Sequence, residues 1–219
     1  METLLGIDEA GRGSVIGPLV VGGFLVRADQ LDALRATGAK DSKALSPARR
    51  EAVYARLGSL GRRWTVLLAP REIDRYVARG GLNELEARAF ARLVRRARPD
   101  RALVDACDAN AARFGRAVEG FAGGVAPVVA HHHADRDDVL VGAASIVAKV
   151  SRDRAIARLA ARIGTPVGSG YPSDPTTVAH LRDRAATGAP FPDYVRRSWA
   201  TTKRVKRAAR ALPLEAFER

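Results

Sequence analysis

Leu4-Leu5-Gly6-Ile7-Asp8-Glu9-Ala10-Gly11-Arg12-Gly13 opens the chain, and Val15–Val26 follows it as a second apolar, β-branched stretch. An apolar run that ends in two acids, then a glycine-rich turn, then another apolar run, predicts two paired strands. Pro18 and the glycines at 17, 22 and 23 predict an irregular start to the second strand. Working outward, Ser46-Pro47 reads as an N-cap with proline in the first turn, opening a helix to about Leu60. Trp64–Leu68 reads as a third strand, followed by helical stretches at 71–78 and 82–98. Ala102–Ala106 predicts a fourth strand, 111–121 a helix, and Val125–Ala130 a fifth strand running on into His131-His132-His133. A long helix over 139–163, a loop over Gly168–Pro175, a helix to about Thr187 and a basic helix over 201–211 complete the pattern. Strands first in a meander and then alternating with helices predict an α/β fold: a mixed five-stranded sheet flanked by helices, with a C-terminal helical appendage. The expected boundary puts the sheet and its helices at 1–165 and the helical appendage at 166–219.

The 219 residues suit one globular domain with an appendage, and 47% apolar content is enough for a core. No apolar run is long enough to span a bilayer, and Met1-Glu2-Thr3 lacks the basic start of a signal peptide, so the expectation is a cytoplasmic protein. Cys107 is the only cysteine, which excludes an intramolecular disulfide and a multi-cysteine metal site. Thirty-seven basic residues against 24 acids give a net charge of +13, a field that favours polyanionic partners. Only five of the 37 are lysine, namely Lys40, Lys43, Lys149, Lys203 and Lys206. In so arginine-biased a chain a lysine can mark a site that needs a compact point charge.

Acids stand at or just past the ends of three predicted strands: Asp8-Glu9, Asp105 and Asp135. Chemistry collects at strand ends in α/β sheets, and converging carboxylates without thiolates suit hard divalent cations such as Mg²⁺ or Mn²⁺. Adjacent strand residues face opposite ways, so Asp8 and Glu9 share a site only if the backbone bends between them and the glycines. Spacing alone does not separate these acids from Asp108, Asp137 and Asp138. His131 and His133, if strand-like, would share a face with Asp135, an arrangement conceivable for zinc.

The same residues form a series of family signatures. Gly6-Ile7-Asp8-Glu9-Ala10-Gly11-Arg12-Gly13 with Gly17-Pro18 resembles the opening motif of the ribonuclease HII family. Asp41-Ser42-Lys43 with Leu45 resembles its next signature, and Val104-Asp105 its third carboxylate after a strand. Ala134-Asp135, then Ala143–Lys149 and Arg152-Asp153, is similar to its fourth carboxylate and the helix that follows. Gly170-Tyr171-Pro172-Ser173-Asp174-Pro175 and Arg197-Ser198-Trp199 look like the archaeal variety. The signatures run in order from about residue 4 to 200.

The resemblance implies a ribonuclease-H-like fold and a type 2 ribonuclease H. Such an enzyme hydrolyses the RNA strand of RNA/DNA hybrids and cuts 5′ to single ribonucleotides in duplex DNA. The cut leaves 3′-hydroxyl and 5′-phosphate ends, with two metal ions, Mg²⁺ or Mn²⁺, held by Asp8, Glu9, Asp105 and Asp135. It would serve to excise misincorporated ribonucleotides during DNA replication and to cut RNA primers. By the same resemblance Gly11, Arg12 and Gly13 would read the ribose 2′-hydroxyl, and Tyr171 would pack on the sugar after the ribonucleotide. Lys43, Ser145, Lys149 and Arg152 would contact phosphates, the last three from one helix face. Arg196, Arg197, Lys203 and Arg204 belong to an acid-free basic run that would track the duplex backbone. His131–His133 replaces an expected His-Lys. The C-terminus resembles a sliding-clamp peptide in Leu214 and Phe217, but Ala211 and Glu218 replace its Gln and second aromatic. The expectation is a monomer with at most weak clamp binding. The rival readings are ribonuclease HIII, which normally carries an N-terminal substrate-binding domain, an inactive nucleic-acid-binding module, and a carboxylate-metal nuclease acting on DNA alone.

Overall fold

A computed structural model describes residues 1–39 and 45–211. The elements are β1 (Thr3–Ala10), β2 (Leu19–Arg27), α1 (Leu31–Arg35), α2 (Pro47–Leu60), β3 (Arg62–Leu68), α3 (Pro70–Val77), α4 (Leu82–Ala97), β4 (Arg101–Asp105), α5 (Ala111–Ala122), β5 (Val128–His131), α6 (Ala134–Asp137), α7 (Val139–Ile163), α8 (Pro175–Ala186) and α9 (Ala200–Ala211). The sheet order is β3-β2-β1-β4-β5. β1 is antiparallel to β2 and parallel to β4, and β4 is parallel to β5, so the sheet is mixed as the sequence pattern predicts. The chain resolves into two compact units. The first holds Met1–Ala10, Val20–Leu68 and Gly81–Arg152; the second holds Gly11–Leu19, Ala69–Gly80 and the chain from Asp153 on. Sequence composition placed its boundary at 165, whereas the units divide within α7.

In the first unit, α7 packs on one face of the sheet and α4 on the other. Gly22 of β2 explains how close α7 comes. A β-carbon there would stand 2.5 Å from the Ala148 nitrogen and 2.6 Å from the Ala144 oxygen, both backbone atoms of α7. Gly6 of β1 meets the Leu140 backbone in the same way. On the opposite face Gly23 lies against Leu93 of α4. With helices on both sides, β1 and β2 are buried nearly throughout and read as continuous apolar runs. Phe24, Val26, Leu34, Val53 and Leu57 form one core with Leu140, Ile146, Val147 and Val150 of α7. On the other side of α4, Phe90 meets Phe114 of α5 edge to face, with centroids 5.3 Å apart. Gly22→Ala is expected to cost about 2 kcal/mol or more, because a backbone cannot yield as a side chain can. Urea denaturation measures it, and an unchanged midpoint would contradict the packing account.

Local caps follow the expected chemistry. The Ser46 hydroxyl accepts from the Arg49 amide at 3.3 Å with Pro47 at the first helical position, and Asn110 caps α5 in the same manner.

The second unit has its own core, in which Val15, Ile16, Ile156, Leu159, Val167, Leu181, Phe191, Val195 and Val205 are buried together. Here the structure departs from the sequence reading. Val15 and Ile16 do not begin the second strand. Gly17 adopts a φ of +82°, which breaks the extended path, and Ile16 forms an isolated antiparallel bridge with Val195. The strand starts at Leu19. Two short helices, α1 and α6, went unread because four or five residues are too few to establish a helical period.

Candidate active site

Parallel pairing places the acids. The last partners between β1 and β4 are Ile7 and Val104, so Asp8 and Asp105 are the next residues along neighbouring strands. Asp8 is only 4% exposed. Burial, reinforced by the charge of Asp105, pushes its carboxyl up from 3.8 to about 6. A hydrogen bond with Ser145, the Glu9 amide and the charge of Lys149 pull the other way. The Lys149 ammonium donates to the Ser145 hydroxyl at 2.9 Å, and Ser145 sits against Asp8, so the two α7 residues form a chain ending on the carboxylate.

That arrangement corrects one expectation. Ser145 is fully buried and Arg152 is 3% exposed, so neither presents its polar group on the surface for a phosphate. Ser145 and Lys149 of that stripe support the carboxylate from within. Lys149 is half-buried and retains a path to solvent. Lys43 lies outside the described residues.

Asp105 ends β4 and pairs in register with His131 of β5. Its Oδ1 accepts from the Ala134 amide at 3.0 Å. Asp135, 2% exposed, is the next residue along. Asp8, Asp105 and the segment bearing Asp135 are thus joined in sequence by a charge interaction and a hydrogen bond, within one unit. Glu9 follows Asp8 on β1, whose register with β2 runs unbroken through Ala10. The bend that would turn Glu9 onto the face of Asp8 does not occur before Gly11, where φ is +87°.

The other acids fall away. Asp108 accepts from Asn83 at 2.9 Å, Arg113 at 2.6 Å and the Asn110 amide at 2.8 Å. These bonds, led by that from the Asn110 amide, hold its carboxyl below the usual range and fix the start of α5. Asp138 accepts from the Leu140 and Val141 amides and caps α7. An acid directly before a long apolar helix is a cap signal, and the sequence carried it. Asp137 is exposed. The histidines are corrected too. β5 ends at His131, His133 turns to a φ of +61°, and Asp135 lies in a helical turn, so the three share no strand face.

The donor set suits a hard divalent cation. All candidate ligands are carboxylates, and Asp8, pushed up to about 6 by burial and by the like charge of Asp105, lies where positive charge is short. As they stand, no three His, Cys, Asp or Glu side chains among the described residues would hold one ion. Mg²⁺ commonly takes only one or two carboxylates and completes its shell with water and substrate phosphate oxygens.

In the second unit, the Val15 and Ile16 amides both donate to the Gly170 carbonyl, at 2.8 and 3.2 Å. The loop that carries Arg12 is thereby tied to the residue before Tyr171. Gly13 is exposed and Arg12 and Tyr171 are half-buried. Asp174 caps α8 and also accepts from the Ser169 amide at 2.5 Å, which closes the tyrosine loop.

The sequence model of the family described as ribonuclease HII matches residues 5–202. The chain belongs to the ribonuclease HII family. It is 44% identical over 207 residues to the ribonuclease HII of Methanothrix thermoacetophila, covering 94% of this chain and 98% of that one. The crystal structure of ribonuclease H2 from Pyrococcus horikoshii superposes with a TM-score of 0.87 at 38% identity, covering 96% of this chain and all of that one. The ribonuclease HII of Archaeoglobus fulgidus, solved in complex with PCNA, gives 0.83 at 41% identity, covering 90% of this chain and 95% of that one. The chain is accordingly a type 2 ribonuclease H, an endonuclease acting on RNA paired with DNA, in a metal-dependent family.

Ribonuclease HII needs a surface for a polyanion, and the basic run divides in two. Arg196 is 0% exposed and donates to backbone carbonyls, so it makes no backbone contact to a duplex; that expectation is corrected. Arg197, Lys203 and Arg204 are exposed. Arg197 and Lys203 line a cavity of about 1030 Å³ with Arg71, Asp74, Arg75 and Ser198. Arg71 and Arg75 on α3 were not singled out in the sequence, where nothing links them to the C-terminal run. No helix among the described residues is long and apolar enough to cross a membrane.

Proposed function

We propose that this chain cuts duplex DNA on the 5′ side of a single embedded ribonucleotide, leaving 3′-hydroxyl and 5′-phosphate ends, besides hydrolysing RNA in continuous hybrids. The observation that carries the reading is the buried Asp8 beside Asp105 at adjacent strand ends, with Asp135 one residue past the amide that Asp105 holds. Asp8, Asp105 and Asp135 would hold Mg²⁺ or Mn²⁺, and Glu9, on the other face of β1, would join them only if the end of that strand bends as the ion binds. Two such ions would supply an activated water and charge neutralisation at the leaving 3′-oxygen. Ser145 and Lys149 hold Asp8 in place from α7. Gly11, Arg12 and Gly13 read the 2′-hydroxyl, the group that separates a ribonucleotide from its neighbours. Lys43 and Lys149 would meet phosphates as point charges, and Arg197, Lys203 and Arg204 would meet the flanking backbone.

The test is a duplex with one ribonucleotide, incubated with Mg²⁺, Mn²⁺ or chelator beside an all-DNA duplex and an RNA/DNA hybrid. A metal-dependent cut 5′ to the ribonucleotide with the all-DNA duplex intact is expected. Cutting of the continuous hybrid alone would point to the ribonuclease HIII type of activity. Tyr171→Ala is expected to lower cutting of the single-ribonucleotide duplex about tenfold, as loss of an aromatic stacking contact does, and to spare continuous RNA. Equal losses on both would refute the junction role.

The Archaeoglobus relative was solved with PCNA, but the residues of this chain that resemble a clamp peptide lie outside the described residues. With Ala211 and Glu218 at two of its anchor positions, clamp binding should be weak. Titration of purified clamp with a peptide of residues 208–219 should show no tight complex.

A further inference from the structure

Arg196 is the largest fully buried side chain among the described residues, and its cost has to be met by what it binds. Its Nη1 donates to the Arg12 carbonyl at 2.9 Å and its Nε to the Gly17 carbonyl at 3.2 Å. Its own amide donates to the Val15 carbonyl at 2.9 Å, and its guanidinium lies over the Trp199 ring, 5.0 Å from the centroid. One rigid fork therefore spans both ends of the turn from Arg12 to Gly17, which a lysine ammonium cannot do. All of these groups belong to the second unit.

The Arg12 carbonyl belongs to the same peptide unit as the Gly13 amide. In a planar trans peptide the C=O and N–H point in opposite directions. Drawing the Arg12 oxygen inward onto a buried guanidinium aims the Gly13 N–H outward. Gly13 is exposed, and nothing stands within 4 Å of where its β-carbon would be. The far side of the turn is anchored through Val15 and Ile16 on Gly170, next to Tyr171.

We infer that Arg196 is a positioning residue for ribonucleotide recognition, setting the Gly13 amide to donate to a 2′-hydroxyl and holding that loop in register with Tyr171. This rests on the proposed roles of the Gly11-Arg12-Gly13 turn and Tyr171. It differs from a phosphate contact, because losing it weakens preference for the ribonucleotide and not affinity for the duplex.

The test measures binding in chelator to two duplexes of one sequence, one with a single ribonucleotide and one all-DNA. Arg196→Lys keeps the charge and loses the fork; Trp199→Leu keeps the hydrogen bonds and removes the ring beneath the guanidinium. Folding is checked by far-UV circular dichroism and Tm. A folded Arg196→Lys protein is expected to lose about fivefold to tenfold of the ribonucleotide preference, with all-DNA affinity unchanged. Trp199→Leu should lose less, in the same direction. A folded Arg196→Lys that keeps the wild-type preference, or weakens on both duplexes equally, would overturn the inference. Should Arg196→Lys not fold, an unchanged preference in Trp199→Leu overturns it, and a reduced one sustains it. Absence of any preference in the wild-type protein would remove the recognition reading itself, and the inference with it.

Discussion

Replacing Asp8 by asparagine is expected to lower cleavage by on the order of 10³-fold or more while leaving duplex binding within a few-fold of wild type. The substitution keeps the shape of the side chain and an oxygen able to accept the Ser145 and Glu9 bonds. What it removes is charge. Asp105 loses the neighbour with which it would share a cation, and the remaining carboxylates no longer offer the anionic density that a divalent ion needs. On the proposed reading, affinity for the duplex would come from exposed cations such as Arg197, Lys203 and Arg204, and those are untouched. Cleavage gels and fluorescence anisotropy, on the same ribonucleotide-bearing duplex, separate the two quantities. Full activity of Asp8→Asn would sink the carboxylate assignment. Parallel loss of binding and cutting would instead mean that Asp8 shapes the duplex surface.

What the sequence revealed and what it hid follow from how each residue is used. Asp8 and Asp105 were visible as acids at the ends of short apolar strands, but spacing did not separate them from Asp108, Asp137 and Asp138; the parallel pairing of β1 with β4 does, by setting the two at neighbouring strand ends. The mixed sheet was legible because short apolar strands announce their ends. Ser145 was visible as part of a polar stripe on α7, but periodicity cannot say whether a stripe faces solvent or a buried carboxylate. Here Gly22 and Gly6 let α7 settle directly on the strands, which buries Ser145 and leaves Lys149 half-exposed. Arg196 was hidden by its company. It stands in a run of seven basic residues, and a run suggests a surface. The better signal was its aromatic and apolar setting, with Phe191, Tyr194, Val195 and Trp199 around it before α9 begins. The turn at His133 and the single helical turn holding Asp135 left no periodic trace, so strand alternation was carried one step too far.

The last expectation concerns what a buried carboxylate costs. Burial pushes the Asp8 carboxyl up to about 6 in the folded chain, against an ordinary value of 3.8. The folded state therefore binds this proton more tightly than the unfolded state. Its contribution to stability is fully present below about pH 4, declines between pH 4 and pH 6, and is absent above. Two pKa units correspond to about 3 kcal/mol as an upper bound. In chelator, Asp8→Asn should accordingly match the wild type near pH 4 and exceed it by up to about 3 kcal/mol at pH 7.5. Asp108 and Asp174, whose carboxyls are held low by hydrogen bonds, act in a lower window, and their stabilisation is lost as pH falls. They are common to both proteins and cancel in the difference. Urea denaturation of the pair from pH 4 to pH 8 reads it directly, and parallel profiles would refute it. Mn²⁺ should then reverse the order at pH 7.5, because a cation that binds only the folded, ionised site stabilises by mass action and Asp8→Asn has weakened that site. On this account the burial that disfavours a bare carboxylate at Asp8 would favour one that shares a divalent ion with Asp105.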